Sequence, residues 1–308
     1  MSVILLGYHN MGCMALKVLK ELGCDVPAVF THRDNPNENR WFNSLSNLAK
    51  EMGIEVFYPE NINTPKWIEK IRSFNPDIIL SCYYRNLVKQ EILDIPKIGA
   101  FNLHGSLLPK YRGRCPVNWQ ILNGEKKAGV TLHYMVVQAD AGDIVGQKEV
   151  DIDEEDTAVT LFKKLEIAGR QLLLEMIPRL LDGSAPRIVQ DHSKATYFGG
   201  RKPEDGIIDW SKSAREIYNL IRAVTWPYPG AFTYLNGKKI MIWWAKPYEE
   251  HEDNCPVGTV LEKDGDFFVQ TGKGQLKLLT ISEEGKSPDE KLDPKNILSN
   301  GVILGNSK

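Results

Sequence analysis

Nowhere does this 308-residue chain carry 18 consecutive apolar residues, and Met1-Ser-Val-Ile-Leu-Leu-Gly7 lacks both the basic start and the apolar length of a signal peptide. No membrane insertion is expected. Cysteine is sparse: Cys13, Cys24, Cys82, Cys115 and Cys255 are odd in number and never in C-x-x-C spacing. Free thiols in a reducing compartment, the cytoplasm, fit that usage. A charge excess of one sign is missing too. Lys plus Arg total 38 against 40 Asp plus Glu, a formal net charge of -2 that excludes a globally basic nucleic-acid binder. There is no internal repeat or low-complexity tract. With 42% hydrophobic and 25% charged residues, the disordered, collagen-like and disulfide-scaffold classes are set aside.

Several chemical signatures are absent as well. Gly7 and Gly12 flank Y-H-N-M, but G-x-x-x-x-G is not the dinucleotide fingerprint, and no Lys-Ser/Thr follows to make a P-loop. No G-x-S-x-G occurs. His9 and Cys13 stand four apart, yet no third or fourth ligand has useful spacing, so no metal is expected.

What is present is alternation. Apolar runs at 3–6, 26–30, 54–57, 78–82 and 99–103 read as buried strands, interleaved with amphipathic segments at 10–22, 45–52 and 65–74. Asn10 is placed to cap the first helix. Two further strands, 130–137 and 144–150, follow, and Pro116 sits where a helix would start between 99–103 and 130–137. Asp156 or Thr157 then caps a long helix ending at Gly183. This is an α/β domain with a mostly parallel sheet. A polar stretch broken by Pro186, Gly199, Gly200 and Pro203 reads as a linker. Beyond it come one helix, 214–224, and short strands at 231–235, 239–244, 258–261, 267–270 and 276–281, the texture of a small β-barrel. The expected division is 1–189, a linker over 190–205, and 206–308.

The most informative stretch is F-N-L-H-G-S-L-L-P-K-Y-R-G-R-C-P-V-N-W, residues 101–119. Asn102 and His104, two apart at a strand end, project from one face, where an amide donor beside an imidazole suits oxyanion stabilisation and proton transfer. Taken alone, N-x-H also describes polar residues closing a strand. Asp140, in the turn Q-A-D-A-G-D-I, would orient His104, with Asp143 a competitor in the same turn. His133, between Leu132 and Tyr134, reads as a structural histidine. Trp226, Phe232, Trp243 and Trp244 read as core or domain contact more than as a base-stacking platform.

Together, the 101–116 stretch, G-V-T-L-H and the A-D-A-G turn resemble the folate-dependent formyltransferase family. In outline the chain is similar to methionyl-tRNA formyltransferase. Y-H-N-M-G-C, F-T-H-R-D-N-P, C-Y-Y-R-N-L-V and R-A-V-x-x-x-P-G-A-F look like a different branch. That branch is the formyltransferase part of the bifunctional UDP-4-amino-4-deoxy-L-arabinose formyltransferase and UDP-glucuronic acid decarboxylase. The resemblance spans nearly the whole chain. The bifunctional relative continues into a decarboxylase domain, whereas this sequence stops at Lys308, as a standalone or a trimmed enzyme.

The resemblance implies a Rossmann-like catalytic domain, an OB-like second domain and N10-formyltetrahydrofolate as formyl donor, with no metal. It implies that Asn102 stabilises the oxyanion, that His104 moves the amine's proton and that Asp140 orients His104. It assigns Asn86, Leu87, Val88, Arg114, Val136, Val137, Gln138, Ala139 and Asp140 to the folate. Asn86 departs from a histidine in the branch. His9, Asn10, Arg201 and Arg222 are candidates for the sugar nucleotide. Neither nucleic acid nor membrane is an expected partner: Arg33 and Arg40 after Thr31 are matched by Asp34 and Glu38, and residues 206–308 hold 13 Lys or Arg against 14 Asp or Glu. Methionyl-tRNA formyltransferase, a TDP-aminosugar N-formyltransferase and a non-catalytic folate- or nucleotide-binding module are the alternatives.

Overall fold

The computed structural model describes residues 1–35, 39–251 and 253–305. It resolves into two compact units. Unit 1 comprises Met1–Pro116, Lys127–Asp151 and Phe162–Gly199, and unit 2 comprises Val117–Lys126, Ile152–Leu161 and Gly200–Lys308.

In chain order, β1 (Val3–Gly7), α1 (His9–Glu21), β2 (Ala28–Phe30), α2 (Leu45–Glu51), β3 (Glu55–Phe57), α3 (Pro65–Ser73), β4 (Ile78–Cys82), α4 (Gln90–Leu93) and β5 (Gly99–His104) alternate. Then come β6 (Arg112–Gly113), α5 (Pro116–Leu122), the hairpin β7 (Lys127–Tyr134) and β8 (Ile144–Asp151), α6 (Ala158–Leu181) and β9 (Tyr197–Phe198). Seven strands form one sheet in the order β3-β2-β1-β4-β5-β7-β8. The first five are parallel, and β7 and β8 run antiparallel. β1 reads V-I-L-L-G without alternation because both faces of the sheet are covered: Val3, Ile4, Leu5 and Leu6 are wholly buried. Each such side chain contributes roughly 1.5–3 kcal/mol.

The chain runs outward through β2 and β3, then returns to place β4 on the other side of β1. A ligand crevice is expected at such a reversal, beyond the carboxyl ends of β1 and β4. His9 lies there. Its ring packs against Trp41, Phe42, Tyr83 and Phe162, and its Nδ1 is buried without a hydrogen-bond partner. Asn10 does not cap α1, as its spacing suggested. The helix starts one residue earlier behind an extended Tyr8, and Asn10 Oδ1 instead accepts from the Asn43 amide at 2.8 Å, tying down the approach to α2.

β7 ends at Tyr134, earlier than the hydrophobic run predicts. After one more bond, from the Met135 amide to the Ala100 carbonyl, Val136 and Val137 leave the sheet and are exposed. The long helix opens with Thr157 as cap: its Oγ1 accepts from the Thr160 amide at 3.3 Å. The polar stretch after α6 is held by paired backbone, with Ile188 bridging to Ile144 and β9 pairing with β6.

In unit 2, α7 (Ala214–Val224) is opened by a capping box in which Ser213 Oγ accepts from the Glu216 amide and Glu216 Oε2 from the Ser213 amide. It is followed by β10 (Ala231–Leu235), β11 (Lys238–Tyr248), β12 (Val260–Lys263), β13 (Asp266–Gln270) and β14 (Gln275–Glu283), an antiparallel sheet ordered β10-β11-β14-β13-β12. Trp243 is core, with its Nε1 donating to Ser282 Oγ at 2.8 Å. Among the described residues no helix is long and apolar enough to cross a membrane.

Burial, helped by the nearby Arg85 cation, lowers the His9 pKa from 6.5 to about 3. His32 is lowered to about 4 for the same reasons. Both rings stay neutral in the fold while the unfolded chain protonates them near 6.5, so stability falls as pH drops through that window. For His9 the slope is at most about 1.4 kcal/mol per pH unit. Asn tolerates the left-handed backbone of His9 (φ 64°) and does not titrate. His9→Asn is therefore expected to flatten the loss of melting temperature between pH 6.5 and 4.5, measured by thermal denaturation against wild type.

Candidate active site

The register of two strands assembles the polar cluster. Asn102 and His104 share one face of β5, and the antiparallel β7 sets His133 directly opposite Asn102 and Thr131 opposite His104. The turn beyond β7 then brings Asp140 back over them. Asp140 is left-handed (φ 55°), which Asp accepts more readily than most residues. Gly142 in the same turn lies so close to β7 that a Cβ there would stand 1.9 Å from the Tyr134 carbonyl oxygen.

Asp140 Oδ1 lies 3.5 Å from His104 Nδ1, 3.4 Å from His133 Nε2 and 3.2 Å from the donating Asn102 Nδ2. Its Oδ2 accepts from the Gly113 amide at 2.8 Å. Burial opposes ionisation of this carboxyl, but the His104 ring and the Gly113 N–H outweigh it and hold the pKa well below the usual carboxylate range. Asp143, the competitor, faces elsewhere and accepts from Arg187 Nε at 2.7 Å.

His104 is buried, and its Nε2 lies 2.7 Å from the Tyr111 carbonyl oxygen. A carbonyl only accepts, so Nε2 carries the hydrogen and Nδ1, on the Asp140 side, is left to exchange a proton. Ser106 Oγ donates to the Lys110 carbonyl at 2.7 Å and steadies this loop, so it is engaged as a loop clamp. The arrangement offers an amide donor, a proton carrier and a fixed carboxylate within one hydrogen-bonded group.

Two supports were not legible in the sequence. His133 belongs to this cluster, although its flanking residues read as plain strand. Arg112, wholly buried, donates from Nη1 to Tyr197 Oη at 2.5 Å and from Nη2 to Gln190 Oε1 at 2.6 Å, while Gln190 Nε2 donates to the carbonyls of Asp140 and Gly142 at 2.8 and 2.6 Å. The polar stretch read as a linker thus braces the Asp140 turn. Only the pairing of β6 with β9 reveals it.

The other residues singled out are distributed as follows. Asn86 Nδ2 donates to the Glu60 carbonyl at 3.1 Å, Leu87 and Val137 are largely exposed, and Val88 is turned into the apolar core beside Ile62 and Ile92. Arg114 is exposed, with its backbone amide donating to the Phe198 carbonyl. Gln138 Nε2 donates to Tyr197 Oη at 2.8 Å, and Ala139 completes the turn. Arg201 and Arg222 lie in unit 2. The Arg201 guanidinium sits 4.8 Å over the Trp119 ring and donates to the Asp205 carbonyl. Arg222 is buried, with its donors on Asn219 Oδ1 and the carbonyls of Asp153 and Asp156, a structural anchorage that leaves little for a ligand.

Residues 6–177 match the family described as formyl transferase, and residues 201–296 match the formyl transferase C-terminal domain. The chain belongs to the formyl transferase family and is an enzyme of group transfer. Solved structures share the fold. An N-formyltransferase from Helicobacter canadensis, in complex with folinic acid and dTDP-3-aminofucose, is 23% identical, with 90% of this chain and 98% of that one covered at a TM-score of 0.66. WlaRD, a sugar 3N-formyl transferase solved with dTDP and 5-N-formyl-THF, is 21% identical over 93% and 98% at 0.69. HypX from Aquifex aeolicus, in complex with tetrahydrofolic acid, is 18% identical over 96% of this chain and 46% of its own at 0.62.

Gly113, whose amide donates to Asp140, is a point where a side chain would disturb the cluster. A Cβ there would stand 2.4 Å from the Phe198 carbonyl oxygen, at a φ of 98° that side chains avoid, whereas at Gly199 nothing lies within 4 Å. Gly113→Ala is expected to cost ~1–3 kcal/mol in denaturant unfolding, and Gly199→Ala to stay within about 0.5 kcal/mol of wild type.

Proposed function

We propose that the protein transfers the formyl group of N10-formyltetrahydrofolate to the amine of a sugar nucleotide, with UDP-4-amino-4-deoxy-L-arabinose of lipid A modification as first choice, in the cytoplasm. The observation that carries this reading is the hydrogen-bonded group of Asn102 and Asp140 around the buried His104 in a chain of the formyl transferase family. Attack of the amine on the formyl carbon forms an oxyanion and a protonated nitrogen, and N10 leaves once it gains a proton. An amide donor serves the first need. An imidazole whose Nδ1 exchanges a proton serves both halves of the second, with Asp140 keeping the ring in place.

The folate is assigned to Asn86, Leu87, the backbone of Val88, whose side chain is in the core, Arg114 and the 136–140 turn. Exposed Leu87, Val136 and Val137 supply apolar surface for a flat ring system. Arg114 offers an exposed cation to a carboxylate. His9 and Asn10, at the β1 end of the crevice, are assigned to the sugar nucleotide, with Arg201 as a further candidate.

A second reading, a TDP-aminosugar as acceptor, draws support from the dTDP-3-aminofucose and dTDP of the two sugar N-formyltransferases. Transfer to initiator Met-tRNA is disfavoured by charge. Arg40 is paired with Asp34 at 2.8 Å and Arg33 lies over the Tyr58 ring, so the segment after Thr31 is no free basic loop; Glu38, counted with it, falls outside the described residues.

Folate absorbance is to be followed with UDP-4-amino-4-deoxy-L-arabinose, a TDP-4-aminosugar and initiator Met-tRNA as acceptors. Turnover on the UDP sugar is expected. Turnover on the TDP sugar alone moves the acceptor and leaves the chemistry, and faster transfer to tRNA overturns the reading. His104→Ala is expected to fold with unchanged circular dichroism while losing about 10²- to 10⁴-fold in kcat.

A further inference from the structure

His133 touches the cluster but has no part in the chemistry just derived. Its ring is 1% exposed, so it is closed to solvent and acts through its neighbours. Nδ1 lies 2.8 Å from the Tyr134 carbonyl oxygen, an acceptor only, and therefore carries the ring hydrogen. Nε2 is then a lone pair. It stands 3.2 Å from Asn102 Nδ2, which also reaches Asp140 Oδ1 at 3.2 Å. Both neighbours accept, so the amide nitrogen must face them. Turned over, the amide would set its oxygen against a carboxylate oxygen and a nitrogen lone pair. A second hydrogen at Nε2 would place two donors head to head, and the 3.4 Å from Nε2 to Asp140 exceeds a charge-assisted bond.

We propose that His133 is a positioning residue: its Nε2 accepts one Asn102 amide hydrogen, fixes the amide with nitrogen toward the reacting centre, and releases that hydrogen to the oxyanion. This rests on the formyl-transfer reading. Two acceptors occupy the two amide hydrogens, a carboxylate and a neutral imidazole. The imidazole is the weaker, so the hydrogen it holds is the one a developing oxyanion takes up. No covalent bond changes, and the gain appears only as charge develops, which favours the transition state over the ground state. Directly opposed register positions on β5 and β7 keep the two side chains in reach.

His133→Phe keeps a ring and removes the acceptor, whereas His133→Gln offers an amide oxygen near the place of Nε2. The phenylalanine variant is expected to lose about 10- to 100-fold in kcat, with both KM values within about twofold, and the glutamine variant to recover most of it. In an Asn102→Ala background, His133→Phe should change kcat no further. Full kcat in His133→Phe, or the same fold-loss with and without Asn102, overturns the inference, as does a glutamine variant that melts like wild type but is as slow as phenylalanine. ¹⁵N NMR of the wild-type protein gives a readout without turnover. An Nε2 signal of an unprotonated, hydrogen-bonded nitrogen is expected, and a protonated Nε2 overturns the inference. A wild type that moves formyl to none of the acceptors, with that nitrogen signal intact, counts against the functional reading instead.

Discussion

One carboxylate organises unit 1's polar centre. Asp140 sits where two imidazoles, a side-chain amide and a backbone N–H converge, so four polar groups from three segments of the chain are set by a single residue. Hydrogen bonds to an ionised group are stronger than neutral ones, roughly 1.5–3 kcal/mol each net. Taking away one partner of a buried charge leaves the other uncompensated, and such losses run to ~3–5 kcal/mol. The surrounding fold is arranged so that this carboxylate is never left in that position.

That arrangement explains otherwise costly features. Asp140 and Gly113 both adopt left-handed backbone, and Gly142 and Gly113 press backbone against backbone where no side chain fits. Arg112 is buried with no carboxylate partner among the described residues, held by a tyrosine hydroxyl, a glutamine amide oxygen and the His192 ring. Each is a local expense offset by the rigidity of the Asp140 turn. A donor aimed at a developing charge is useful only if it need not reorganise when the charge appears.

The sheet supplies the frame. Parallel strands buried on both faces fix the carboxyl ends of β1, β4 and β5 relative to one another, and the antiparallel hairpin β7–β8 appended at β5 adds His133 and the Asp140 turn. Family membership and a common fold with sugar N-formyltransferases agree with this frame.

The sequence alone determined the elements whose physics is local. β1 and β4 are legible because continuous apolar runs suit strands covered on both sides, and α7 occupies the 214–224 read for it. Asn102 and His104 were legible as a pair because a two-residue spacing sets a common face. Everything that depends on which segments meet was not. His133 reads as an ordinary strand residue until the β5–β7 register sets it against Asn102, and Gln190 reads as linker until it reaches the Asp140 carbonyl. Asp140 and Asp143 are indistinguishable in the turn until one finds two histidines and the other an arginine. Side-chain periodicity is carried by neighbouring residues, whereas register and long-range hydrogen bonding come from the closure of distant segments, and only the tertiary structure decides those.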